Sequence, residues 1–167
     1  MTTISSPHLT VGALLSFSFH APSIPHPIII HSIALSINQT FTLSSLLQPS
    51  KPPVKLAPQT LPIFTLDAQH LPASSSNVPV KRFLAKLAPG QEPYSLTHRS
   101  RLPCDGVLRS TITRPVDETG EPTTLLPFIT SHELAIAVKF QVEGEKPKVL
   151  WIRRPIEIAS VSILVLA

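Results

Sequence analysis

The stretch from His132 to Ala159 (HELAIAVKFQVEGEKPKVLWIRRPIEIA) constrains the fold more tightly than any other. Leu134, Ile136, Val138, Phe140 and Val142 fall on every second position, and Glu133, Ala135, Ala137, Lys139 and Gln141 alternate with them. A period of two with charge confined to one side predicts a half-buried β-strand. The turn-forming cluster Glu143-Gly144-Glu145-Lys146-Pro147 follows, and then a second β-rich run with Leu150, Ile152, Ile156 and Ile158 on one face. Two such runs around a short Gly-containing connection predict a hairpin. A lone hairpin is marginal in water, so the rest of the chain must supply a facing layer. Pro155 marks an edge position or a bulge. Arg154 lies on the apolar parity, which we read as a change of face at Pro155, because the other choice is a charge turned into the core. Trp151, on the face opposite Leu150 and Ile152, is expected to pack under a loop, with a contact surface as the alternative.

Further strands are expected upstream. Ala13, Leu15, Phe17 and Phe19 alternate with Ser16, Ser18 and His20, placing a strand over residues 11–20. From Ile29 the odd positions read Ile29, His31, Ile33, Leu35, Ile37, Gln39, Phe41 and Leu43, a long strand with a break or bulge at Asn38-Gln39-Thr40. Leu61–Leu66 reads as a short edge strand containing Pro62, and residues 91–109 as a polar, basic connection. Nineteen prolines against five glycines suit short strands and stiff loops. Runs of strands with turn signals and no helical period point to an all-β sandwich. Residues 1–8 are expected as a loose tail and 9–167 as one sandwich domain, with long Pro-rich loops near 44–60 and 67–124.

Charge is distributed unevenly. Residues 1–50 carry no Asp, Glu, Lys or Arg, residues 51–114 hold nine Lys/Arg against three Asp/Glu, and residues 115–167 hold five against seven. The cations of the middle (Lys81, Arg82, Lys86, Arg99 and Arg101) are the candidate contacts for an anion or a phosphorylated tail, since arginine forks take phosphate and carboxylate bidentately. The same residues also fit a solvated loop surface or lipid headgroups. Nucleic acid is the poorer match, because only Phe83 and Tyr94 lie nearby to stack on bases.

No constellation for catalysis stands out. His132-Glu133 begins like a zinc-protease helix, but the second histidine would have to be residue 136, which is Ile136, and the stretch alternates as a strand. The seven histidines have no ligand spacing, the glycines do not cluster, and Cys104 reads as an inert loop thiol. No metal or cofactor is expected. One cysteine permits no internal disulfide, which favours a reducing compartment. The apolar run at residues 10–21 lacks the basic flank of a signal peptide, and no run reaches the roughly 18 residues of a membrane helix.

With these features in place, the chain resembles the arrestin-like proteins, most closely those of fungi. The resemblance runs from Thr97–Arg101 (THRSR) and Leu102-Pro103 through an acidic spacer to residues 129–134 (ITSHEL), then over the alternating strand and the Gly144 turn to residues 154–158 (RPIEI). Residues 14–19 and 32–43 resemble the opening strands. The resemblance implies an immunoglobulin-like antiparallel β-sandwich without enzyme activity. It also implies a cytoplasmic adaptor, recruited to membranes, that binds tails of membrane proteins, phosphorylated ones among them, in endocytosis or signalling. Two departures stand beside it. Full arrestins have two sandwiches and this chain has length for one. The sole tyrosine lies in Glu92-Pro93-Tyr94, which is not the Pro-Pro-x-Tyr of ubiquitin-ligase recruitment. The alternative expectation is a self-associating β-sandwich that pairs through its charge-free N-terminal strands.

Overall fold

The computed structural model describes residues 2–4, 8–45, 47–48, 50–68, 83–104, 106–112, 119 and 127–159. Ten strands follow in chain order: β1 (Thr2–Ile4), β2 (His8–Thr10), β3 (Leu14–Ala21), β4 (Ile28–Leu43), β5 (Val54–Lys55), β6 (Gln59–Leu66), β7 (Ala85–Leu87), β8 (Tyr94–Arg101), β9 (Phe128–Val142) and β10 (Lys148–Ala159). They form two layers. The smaller sheet is ordered β1-β3-β8; the larger runs β2-β10-β9-β4. On its far side β4 takes β7, β6 and β5 end to end along Ile28–Ile30, Ile33–Gln39 and Thr42–Leu43. The chain is all-β, an immunoglobulin-like sandwich, and the described residues hold no α-helix.

The predicted hairpin is the centre of the larger sheet. β9 and β10 pair antiparallel from Lys148↔Phe140 to Ile156↔His132. Their turn closes through Glu145 N–H donating to Val142 C=O at 3.0 Å, with Gly144 at φ 80°. β9 pairs on its other side with the whole of β4. Leu134, Ile136 and Val138 meet Ile33, Leu35 and Ile37 on the inner face, and Leu15 and Phe17 of β3 face them from the smaller sheet. Phe17 and Phe64 cross edge to face at 5.5 Å between centroids. Removing these side chains from water is the main favourable term holding the layers together.

Several expectations are corrected. Part of the predicted tail is strand: Thr2–Ile4 pairs with Phe17–Phe19, and His8–Thr10 runs parallel to Glu157–Ala159. The predicted loop at 67–124 contains β7 and β8, and the one at 44–60 contains β5 and the start of β6. β4 passes unbroken through Asn38-Gln39-Thr40. Its irregularity lies at His31, an extra residue between Ile30↔Phe140 and Ser32↔Lys139. That bulge switches the inward set from Ile30 to Ile33, Leu35 and Ile37. The β9–β10 register has no irregularity, so β10 does not change face at Pro155. Arg154 keeps the inward parity but is exposed, and so are Val149, Leu150 and Trp151. The expectation that Trp151 packs under a loop is therefore overturned. Of the two long N-terminal strands, β4 is paired on both sides, while among the described residues β3 is paired with β8 along its length and with β1 only over Phe17–Phe19.

Candidate functional site

The smaller sheet turns two different faces to its surroundings. Along β8 Tyr94, Leu96, His98 and Ser100 are half-buried while Ser95, Thr97, Arg99 and Arg101 are exposed. The inward set packs on the core: His98 lies 4.5 Å from the Phe64 ring, and Tyr94 lies against Phe19. Burial pushes the Tyr94 phenol above its ordinary pKa. The outward set meets the outward residues of β3, with Ser95 opposite His20, Thr97 opposite Ser18, Arg99 opposite Ser16 and Arg101 opposite Leu14. The Ser95 hydroxyl bonds His20 Nδ1 at 2.9 Å, and the Ser18 and Thr97 hydroxyls pair at 3.3 Å. Arg99 and Arg101, two positions apart on one strand face, stand about 7 Å apart along it. This spacing lets two guanidinium groups close on one anion or on two neighbouring ones, with serine and threonine hydroxyls beside them as donors.

The five candidate cations do not form one cluster. Arg99 and Arg101 share the outer face of the smaller sheet. Lys86 sits on β7 between buried Ala85 and Leu87, so it projects from the outer side of the larger sheet. Lys81 and Arg82 lie outside the described residues. Among the described residues no three of His, Cys, Asp and Glu converge as metal ligands, and no helix is long and apolar enough to cross a membrane. Cys104 is exposed.

A second polar constellation, which sequence reasoning missed, lies inside the sandwich. Gln39 and His132 are 1% and 4% exposed. Gln39 Nε2 donates to Gln59 Oε1 at 3.2 Å and to Val107 C=O at 3.3 Å. Gln39 Oε1 accepts from the Arg109 N–H at 2.7 Å and from His132 Nε2 at 3.1 Å. Because that amide oxygen can only accept, His132 carries its proton on Nε2, and in the neutral ring Nδ1 accepts from the Thr111 hydroxyl at 2.9 Å. Thr111 Oγ1 in turn accepts the Ile158 N–H at 2.8 Å. Burial holds the His132 pKa below its ordinary value. The network stitches residues 107–112 into the gap where β9 and β10 diverge, with Ile112 bridging Thr130 and the Thr111 N–H donating to Ile158 C=O. Buried groups that satisfy one another in this way rigidify a structure. The signals for it in sequence were polar Gln39 after Ile33, Leu35 and Ile37 on one parity, and His132 before Leu134, Ile136 and Val138 on another.

No protein-family model matches the chain, and no curated protein matches it in sequence. In three dimensions the chain is similar to the crystal structure of Spo0M, a sporulation control protein from Bacillus subtilis, with a TM-score of 0.50 at 11% identity. The match covers 95% of this chain and 47% of Spo0M, so the chain spans about half the length of that protein. The likeness speaks for the fold, an arrestin-like β-sandwich. The finer expectation, membership of the fungal arrestin-like proteins, has no matching family model behind it.

Proposed function

We propose that this chain is a non-catalytic, arrestin-like adaptor that binds cytoplasmic tails of membrane proteins, phosphorylated ones among them, in trafficking or signalling. The observation that carries the reading is the outer face of the smaller sheet, where Arg99 and Arg101 project side by side next to Ser16, Ser18 and Thr97. Two exposed forks on a rigid strand suit a phosphate or a carboxylate pair on an extended tail. The arrestin-like sandwich supports a binding role by analogy of fold alone. The adaptor works in the cytoplasm and reaches membranes through its cargo. Self-association is the alternative use of the same sandwich.

The test is the binding of a fluorescent peptide carrying two phosphoserines to the intact chain and to Arg99→Glu/Arg101→Glu, with the variant's fold verified by circular dichroism. Binding by the first and not the second supports the adaptor reading. Equal binding removes the Arg99–Arg101 face from it.

A further inference from the structure

We propose that the open outer side of β10, from Lys148 to Arg154, is a strand-addition site for an extended segment that carries an apolar block next to an acidic block. The proposal is independent of the Arg99–Arg101 face, which lies on the other sheet.

β10 is paired with β9 from Lys148 to Ile156, but on its other side β2 takes only Glu157–Ala159. Among the described residues, nine positions of a central-looking strand therefore have one neighbour instead of two. The backbone phase of that open side follows from two observations. Ala159 C=O accepts the Val11 N–H at 3.1 Å on the β2 side. In an unbroken antiparallel ladder the direction of N–H and C=O alternates by residue. The odd residues Val149, Trp151 and Arg153 thus direct both groups outward. Pro155 falls on the same parity, so its missing N–H is absent from the open side and not from the β9 ladder. The usable edge ends before it and spans about 13 Å from Val149 to Arg153.

The side chains define what fits. Val149, Leu150 and Trp151 are 49%, 50% and 55% exposed, three consecutive large apolar residues on an unpaired edge. Arg153 and Arg154 follow after Ile152, and residues 146–156 contain further features of a guarded edge, Lys146, Pro147, Lys148 and Pro155, with no anion. Glu145 pairs with Lys148 and Glu133 approaches Arg153 at 3.7 Å. Arg153 also stands 5.7 Å over the Trp151 ring. Arg154 is exposed and has no ion-pair partner among the described residues. On each face of an added strand the order is the same: Val149 and Trp151 then Arg153 on one, Leu150 and Ile152 then Arg154 on the other. Apolar residues are wanted beside the first part and carboxylates beside the second.

A second copy of this chain is the wrong occupant on charge. Two β10 edges paired antiparallel about Trp151 set Lys148 of one copy opposite Arg154 of the other, and moving the axis toward either end shortens the pairing. Like charges directly opposite are destabilising. An acidic strand turns the same cations into attractive pairs.

Trp151 is the only tryptophan of the chain, so its emission reports on this edge directly. The experiment titrates the intact chain with a capped peptide of two glutamates, a threonine and three valines, and with the reversed sequence for the parallel orientation. The expected result is a saturable blue shift of Trp151 emission with one of the two. Val149→Pro, which removes an N–H from the open side only, is expected to weaken binding by about tenfold or more with unchanged circular dichroism. Arg153→Glu/Arg154→Glu is expected to lose the glutamate peptide and to bind the same peptide with lysines in place of glutamates. Absence of a shift with both peptides, or undiminished binding by both variants, overturns the proposal. So does a concentration-dependent dimer in sedimentation velocity that Val149→Pro abolishes, which would assign the edge to a second copy.

Discussion

Gln39 and His132 are direct partners in the β4–β9 register, and the His132 Nε2–H donates to Gln39 Oε1 across the 3.1 Å between them inside the sandwich. The same amide holds the Arg109 N–H, the Val107 carbonyl and the Gln59 side chain. Gln39→Ala leaves several of these buried groups without a partner. The expected loss of stability is at least about 2 kcal/mol, since one unpaired buried group costs about 1–3 kcal/mol. Urea unfolding measures it. A double-mutant cycle with His132→Phe is expected to be non-additive, because the two residues share one network.

The network also sets a pH dependence. Burial lowers the His132 pKa in the folded chain, while in the unfolded chain the ring protonates near 6.5. Between those two values the unfolded state binds the extra proton, so stability rises with pH. The neutral-ring contribution is fully present above about 6.5 and is lost as pH falls from there toward the folded value. Unfolding midpoints at pH 7.5 and 5.5 are expected to drop for the wild type, and to drop less for His132→Gln, which has nothing to titrate at that position.

Thr130 is the counterexample inside the same region. It is 1% exposed, and its hydroxyl has no hydrogen-bond partner among the described residues. Its backbone already bridges Ile112 in both directions, so the side chain adds only an unsatisfied polar atom. Thr130→Val keeps the shape and removes the hydroxyl. Its expected effect is neutral to stabilising, by up to about 1 kcal/mol in thermal or urea unfolding.

Gly144 closes the central hairpin at φ 80°, a conformation other residues adopt at a cost. Among the described residues, no atom beyond the glycine and its two chain neighbours lies within 4 Å of where a Cβ would stand, so the penalty of Gly144→Ala is backbone strain. Destabilisation of about 1 kcal/mol is expected, measured by unfolding with the β-sheet circular dichroism unchanged.

What was legible in the sequence follows the contrast between side chains. The hairpin of β9 and β10 could be read because Glu133, Lys139 and Gln141 mark one face and aliphatics the other. The phase of β4 could not be read near its start, because Ile28, Ile29 and Ile30 are all apolar and a bulge at His31 leaves no trace in such a run. β8 looked like a basic connection because its inward residues include His98 and Ser100, whose partners Phe64 and the Ile63 carbonyl come from β6. Exposure of Trp151 was hidden for another reason: sequence fixes parity within a strand but not how far the facing layer extends. His132 was legible only as a failed metal motif, since its partners Gln39 and Thr111 are distant in the chain. Arg99, Arg101 and Lys86 were grouped by charge alone; the strand parity of β8 puts Arg99 and Arg101 on one face, while Lys86 projects from the other sheet.

The central claim is that anionic tails are taken by the outer face of the smaller sheet. The measurement that tests it most directly is amide chemical-shift mapping of the intact chain with the peptide carrying two phosphoserines. The account predicts saturable shifts concentrated on Thr97, Arg99 and Arg101 of β8 and on Ser16 and Ser18 beside them, weakening as salt is raised. Shifts confined to Lys86 and its strand, or to β10, with β8 unmoved, would contradict it.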